Sequence, residues 1–257
     1  MSRAWQLPEQ IADVLPTQAR RIEALRRRML DQAAQAGFEP VIPPMLEYLD
    51  SLLSGTGREL NLKTFKLVDQ LSGRTLGLRA DMTPQVARID AHLLNREGVT
   101  RLCYCGPVLH TRASALQGSR ELLQFGAEIF GHAGLEADLE VHELALDVLH
   151  GAGIEGLVID LADARVLRGV LAGVPVDAGA LQDVVAALSV KDAQMLAAAT
   201  ERFPAEARSG LAAMLRLYGG AEVLAAARHE LPARPLIANA LDELQWLATH
   251  LGSAYPS

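Results

Sequence analysis

Two stretches of strict alternation bound what this chain can fold into: Arg101-Leu-Cys-Tyr-Cys-Gly-Pro-Val-Leu-His110 and Leu122-Leu-Gln-Phe-Gly-Ala-Glu-Ile-Phe-Gly131. Successive strand residues point to opposite faces, so each stretch reads as a half-buried strand. On the second, Leu123, Phe125, Ala127 and Ile129 make a wholly apolar face that must meet a core. Its other face carries Leu122, Gln124, Gly126, Glu128 and Phe130, with an amide and a carboxylate flanking a glycine. The missing side chain leaves space over the sheet where the two polar heads can hold a small ligand. The plainer reading is an ordinary antiparallel pair whose buried polar groups bond each other. On the first strand Tyr104, Gly106, Val108 and His110 share a face, and Cys103 and Cys105 take the other. The link from Thr111 to Glu121 is longer than the roughly two to five residues of a common hairpin loop.

The rest of the chain must supply that core. At 257 residues it can hold one large domain or two small ones. Aromatics are only 4%, so alanine- and leucine-rich helices are expected to do most of the packing. A net charge of −7 argues against a broad nucleic-acid surface, which needs a basic field. Two cysteines on one strand face cannot form an ordinary disulfide with each other and do not suffice for zinc, so no metal is expected. Free thiols in a reducing compartment follow, and no run of about 18 apolar residues could span a membrane. With no secretory leader between Met1 and Leu15, the expected location is cytoplasmic.

In chain order, Leu15-Pro16-Thr17 opens a helix whose stripe is Ile22, Leu25, Met29 and Ala33, and Gly37 closes it. Arg20, Arg21, Arg27 and Arg28 lie largely away from the stripe, as a solvated face or a contact for phosphate or an acidic partner. Glu39 to Glu47 is extended by its prolines and suits an edge or interface. Tyr48–Leu53 reads as a short helix, Ser54–Gly57 as a break, and Thr64–Val68 and Thr75–Leu78 as strands. Thr83 is placed to cap a helix beginning at Pro84, with Asp81 just outside it, serving the helix end or accepting a ligand ammonium. Ala137–Leu149 predicts a helix and Leu157–Leu161 a compact strand. From Ala178 onward helices are expected near 180–189, 191–202, 205–217, 221–230 and 236–251. The fold class is therefore α+β, an antiparallel sheet flanked by helices over 1–163, followed by an all-helical block over 164–257.

With these residues laid out, roughly residues 5 to 163 resemble the catalytic domain of a class II aminoacyl-tRNA synthetase of the histidyl type. The resemblance rests on the helix leading into the proline-rich segment Gly37–Glu47, on Leu78-Arg79 with its acidic residue and threonine, and on Phe125-Gly-Ala-Glu-Ile-Phe-Gly131. It implies a sheet domain that dimerises through the proline-rich segment, a helical insertion after residue 164, and a histidine pocket. Asp81 and Thr83 stand where that family binds the ligand's amino group, Gln124 assists, and Glu128 stands where the imidazole is recognised.

The chain departs from a synthetase where ATP is held. The positions of the phosphate-gripping arginine and its charged neighbours carry His110, Arg112 and Ala113, and Arg120 remains near the link's end. An imidazole titrating near neutrality is a poor replacement for a bidentate guanidinium. A histidine pocket without an ATP clamp is what ATP phosphoribosyltransferase regulatory subunits show. The chain is similar to that group in Arg79-Ala-Asp-Met-Thr-Pro-Gln-Val-Ala-Arg88, Arg101–Val108 and Leu215-Arg-Leu-Tyr-Gly-Gly220. The resemblance implies a non-catalytic subunit with no cofactor. It would bind the short-form catalytic subunit in a hetero-oligomer and mediate feedback inhibition by histidine. The alternative is a histidyl-tRNA ligase-like enzyme that activates histidine with ATP, or a scaffold with a vestigial pocket. The family also carries a third motif that this chain lacks before Ser257, so the expectation is a fragment or a member that has lost it.

Overall fold

The computed structural model describes residues 6–55, 57–113 and 118–255. Parts of three expectations lie outside them: the first residues of the lead-in, Thr56 in the break before residue 58, and Ser114 to Gln117 in the long link. The chain divides into two compact units, Met1–Glu155 and Gly156–Ser257. The division falls ahead of residue 164, where the composition changes.

The first unit is built on the alternating pair. Strands β5 (Thr100–Leu109) and β6 (Glu121–Phe130) are antiparallel, with Tyr104 opposite Gly126 and Gly106 opposite Gln124. A two-residue β1 (Glu39–Pro40) joins the other edge of β5, and it runs parallel. The alternation sends the two faces of this sheet to different cores. Cys103, Cys105, Phe125, Ala127 and Ile129 pack with Met29, Ala33, Leu144 and Val148, which lie on α1 (Pro16–Gln35) and α5 (Leu135–Gly151). Leu102, Tyr104, Val108, Leu122 and Phe130 pack on the opposite face with Met82 and Val86. Val86 belongs to α4 (Thr83–Ile89), which continues as a π-helical turn over Asp90–Leu94. Gly37 ends α1 at φ +84°, a backbone conformation that glycine adopts without a Cβ penalty.

A second antiparallel sheet has the order β2-β4-β3, from Leu46–Tyr48, Thr75–Leu78 and Phe65–Val68. Two short helices accompany it, α2 (Leu49–Leu52) and α3 (Arg58–Lys63), the latter not foreseen from the sequence. Between β1 and β2, Val41 still donates its N–H to the Cys103 carbonyl at 2.9 Å, and Pro43 and Pro44, which have no N–H to give, help to keep the rest of the segment to Met45 out of either ladder.

Two sequence expectations need correction. Leu157–Leu161 forms no strand: no described residue pairs with it, and Val158 is 86% exposed. An apolar run with strand propensity stays irregular without a neighbour to complete its ladder. Thr83 is the first residue of α4 but does not cap it with its side chain. Asp81 Oδ1 accepts the Thr83 N–H at 3.0 Å instead, which frees the threonine hydroxyl.

The second unit is helical: α6 (Ala164–Val170), α7 (Ala178–Ser189), α8 (Ala193–Ala199), α9 (Ala205–Met214), α10 (Val223–Glu230) and α11 (Pro235–Ala254). Val170, Val184, Ala187, Leu211 and Ala240 are fully buried in one cluster. Asp163, Asp177 and Asp192 cap α6, α7 and α8 with their carboxylates. The Arg165 guanidinium beside Asp163 holds that carboxyl below its ordinary range. Among the described residues no helix is long and apolar enough to cross a membrane.

Candidate functional site

The four residues expected to bind a ligand lie in one hydrogen-bond net. Gln124 reaches from β6 to the start of α4, where its Nε2 donates to Asp81 Oδ1 at 2.8 Å. Its Oε1 accepts the Met82 N–H at 3.0 Å. Both ends of the amide are thereby fixed, and with them the direction of the Asp81 carboxylate. Asp81 passes the net to Thr83 through the backbone, and Thr83 Oγ1 lies 2.9 Å from the Tyr104 hydroxyl. That hydroxyl donates to Glu128 Oε1 at 3.1 Å. With its one proton turned to Glu128, Tyr104 must accept from Thr83.

Tyr104 is the member that sequence reasoning missed. It is 2% exposed, and burial, together with the nearby Glu128 charge, pushes its hydroxyl well above the ordinary phenol range. A phenol that stays protonated is a permanent donor, so it holds Glu128 with one oxygen engaged. Glu128 Oε2 has no partner among the described residues and is left to accept a ligand N–H. The signal that could have found Tyr104 is size complementarity with Gly126, visible only once the register is known. The space expected over Gly126 is not open: a Cβ there would come within 2.3 Å of the Tyr104 hydroxyl. The glycine makes room for a protein ring, and only the polar rim around that ring is left for a ligand.

Asp81 and Thr83 open onto a cleft of about 370 Å³ that is also lined by Glu59, Leu60 and Lys63 of α3. Gln124 and Glu128 are not in its lining and join it through the net. Next to it, sharing Glu59 and Lys63, is a cleft of about 700 Å³ lined by Leu62, His110, Thr111, Arg112 and Ala113. The second cleft is where the phosphate-gripping residues of a synthetase were expected.

Each of those positions has a definite geometry. His110 Nε2 lies 3.0 Å from the Ala80 carbonyl, which can only accept, so Nε2 carries the proton. The imidazole thus clips β5 to the segment before Asp81. Arg112 is exposed on the cleft wall, beside half-buried Ala113. Arg120 turns away: its guanidinium lies over the Phe65 ring at 4.7 Å and donates to the His110 carbonyl at 3.2 Å. Among the described residues no group of three or more His, Cys, Asp or Glu side chains could hold a metal ion. The site offers carboxylate acceptors for a cationic, N–H-bearing ligand. Among the described residues it shows no converging guanidinium pair to stabilise a transferring phosphoryl group.

Comparison with known proteins shows the family. Residues 10–257 match the sequence model of a family described as Histidyl-tRNA synthetase. The chain is 62% identical over 251 residues to the ATP phosphoribosyltransferase regulatory subunit of Variovorax paradoxus (strain S110), covering 97% of this chain and 65% of that protein. It is 60% identical over 250 residues to the protein of the same name from Ralstonia nicotianae (strain ATCC BAA-1114 / GMI1000), with 97% and 65% covered. The chain therefore spans 65% of the length of these curated relatives. Among solved structures, an ATP phosphoribosyltransferase regulatory subunit/histidyl-tRNA synthetase from Bacillus halodurans C superposes with a TM-score of 0.85 at 25% identity, over 98% of this chain and 66% of that one. A histidyl-tRNA synthetase from Nostoc sp. PCC 7120 shares the fold, with a TM-score of 0.73 at 16% identity, over 98% and 58% of the two chains.

Proposed function

The chain belongs to the histidyl-tRNA synthetase family, and from that premise we propose that it is the histidine-sensing part of an ATP phosphoribosyltransferase regulatory subunit. In this reading it performs no chemistry. It binds the short-form catalytic subunit in a cytoplasmic hetero-oligomer, pairs with a second copy through the proline-rich segment, and takes histidine as the feedback effector. The high identity to regulatory subunits over nearly the whole chain supports the assignment.

The observation that carries the reading is the continuous net Gln124–Asp81–Thr83–Tyr104–Glu128 beside His110 clipped to Ala80. The ligand's ammonium group meets the Asp81 carboxylate, with the Thr83 hydroxyl nearby. An imidazole N–H meets the free oxygen of Glu128, and Tyr104 keeps that carboxylate aimed. Both are charge-assisted contacts, stronger than neutral ones. In the neighbouring cleft the Lys63 ammonium is paired with Glu59 at 2.6 Å and Arg112 is exposed, so among the described residues ATP meets no bidentate clamp there. Histidine then regulates only as far as it binds one state of the hetero-oligomer better than another.

The test has three arms: calorimetric titration with histidine, histidine-dependent ATP–pyrophosphate exchange, and co-purification with a short-form catalytic subunit. Binding and co-purification without exchange are expected. Measurable exchange would overturn this reading in favour of a histidine-activating ligase, and co-purification without histidine binding would leave a scaffold.

A further inference from the structure

Arg79 is 4% exposed, and among the described residues no carboxylate pairs with it. Its Nε donates to the Pro107 carbonyl at 2.8 Å and its Nη1 to the Pro43 carbonyl at 2.6 Å. The backbone of the same residue repeats the connection. Its N–H donates to Met45 at 3.0 Å, and its carbonyl accepts the Leu109 N–H at 3.0 Å. One residue therefore joins β5 and the proline-rich segment 41–45 twice over.

Arginine is suited to this position. β1 ends opposite Cys103, so the Pro107 carbonyl on that edge of β5 has no strand to bond. The Pro43 carbonyl lies in a segment outside both ladders. A planar fork reaches two such carbonyls in fixed geometry, which a lysine ammonium cannot do. Gly106 makes room for it: a Cβ there would lie 2.9 Å from Arg79 Nη2. The ties continue along the chain without a gap. Ala80 is held by His110, and Asp81 and Met82 are held by Gln124.

We propose that Arg79 is the positioning residue through which occupancy of the Asp81 end of the site is felt by the proline-rich segment 41–45. The proposal rests on the histidine reading above. A ligand ammonium competes with Gln124 for Asp81, and a shift there moves a run in which every residue from 79 to 82 is bonded. The motion is delivered to Pro43 and Met45, beside an Ile42 side chain that is 89% exposed. That surface receives the signal.

Two readouts follow it. Amide exchange reports on Ile42 and Met45. Alkylation of Cys105 reports on the cleft of about 230 Å³ that it lines with Ile42, Pro43 and Arg79. Cys103 is fully buried and serves as the unreactive internal reference. Saturating histidine is expected to change both rates by about threefold or more in the unaltered protein. In Arg79→Lys both responses are lost while histidine affinity stays within about threefold, because the residues that touch the ligand are intact. Gly106→Ala, which displaces the guanidinium without removing it, gives the same result and is the variant read if Arg79→Lys does not fold. Histidine binding with no response at Ile42, Met45 or Cys105 overturns the coupling and leaves the site intact. A response retained in both variants overturns the role of Arg79. Absence of histidine binding to the unaltered chain overturns the site reading, and the coupling falls with it.

Discussion

Tyr104 and Gly126 are register partners across the β5–β6 pair, and the tyrosine ring lies over the glycine so closely that no side chain fits between them. This pairing puts the Tyr104 hydroxyl within 3.1 Å of Glu128 and 2.9 Å of Thr83. A Gly126→Ala change must move the ring or the strand. It is expected to cost about 1–3 kcal/mol, the usual range for overpacking a core. Denaturant melts measure it, and a loss below about 0.5 kcal/mol would show that the ring yields easily.

Glu128→Ala removes the carboxylate that Tyr104 aims. Histidine affinity is expected to fall by roughly 1–3 kcal/mol, the range for a lost hydrogen bond to a charged group. Tyr104→Phe keeps the ring and deletes only the donor, so it should weaken histidine by a smaller amount in the same direction. Calorimetry with both variants separates the contact from its support. Unchanged affinity in Glu128→Ala removes that residue from the site.

In the helical unit, Gly169 on α6 sits against Ile237 on α11, where a Cβ would fall 2.4 Å from Ile237 Cγ1. Alanine at a helix interior is ordinarily better than glycine by about 1 kcal/mol. Here the contact wins. Gly169→Ala should destabilise this unit by about 1–3 kcal/mol, read as an earlier denaturant midpoint for helical signal, whereas a stabilised variant would show that α6 and α11 separate freely.

Burial, with the neighbouring Cys105, pushes the Cys103 thiol from its ordinary 9.0 up to about 11. The folded chain then keeps a proton that the unfolded chain releases between those values, so stability declines as pH rises from about 9 to 11. The slope contributed is at most about 1.4 kcal/mol per pH unit. Tyr104 adds a like slope above the ordinary tyrosine range, since its pKa is also raised by burial. Cys103→Ala should lose stability at pH 8 but show a flatter decline through pH 9 and 10. Parallel curves for the two proteins would exclude the thiol.

Much of the first unit was legible because its elements carry local signals. The alternation of Leu122–Phe130 revealed both faces of β6, and the stripe Ile22, Leu25, Met29 and Ala33 revealed α1. Leu157–Leu161 misled because strand propensity states what a segment can join, not whether a partner is present. The helix α3 was missed because Arg58–Lys63 is short and largely polar, with little apolar periodicity to read.

For the site, the sequence by itself determined the residue types: an acid before a helix, an amide and an acid on one strand face, and a histidine where a clamp would need arginine. The first two follow from side-chain chemistry and a period of two, both local; the third rests on the resemblance to histidyl-type synthetases. Only the tertiary structure decided the connections. Register across a long link placed Tyr104 over Gly126, sheet edges left two proline carbonyls for Arg79, and Gln124 met Asp81 from a strand 43 positions away. Such contacts depend on how elements stack, and stacking is set by the summed burial of both sheet faces rather than by any short stretch of chain.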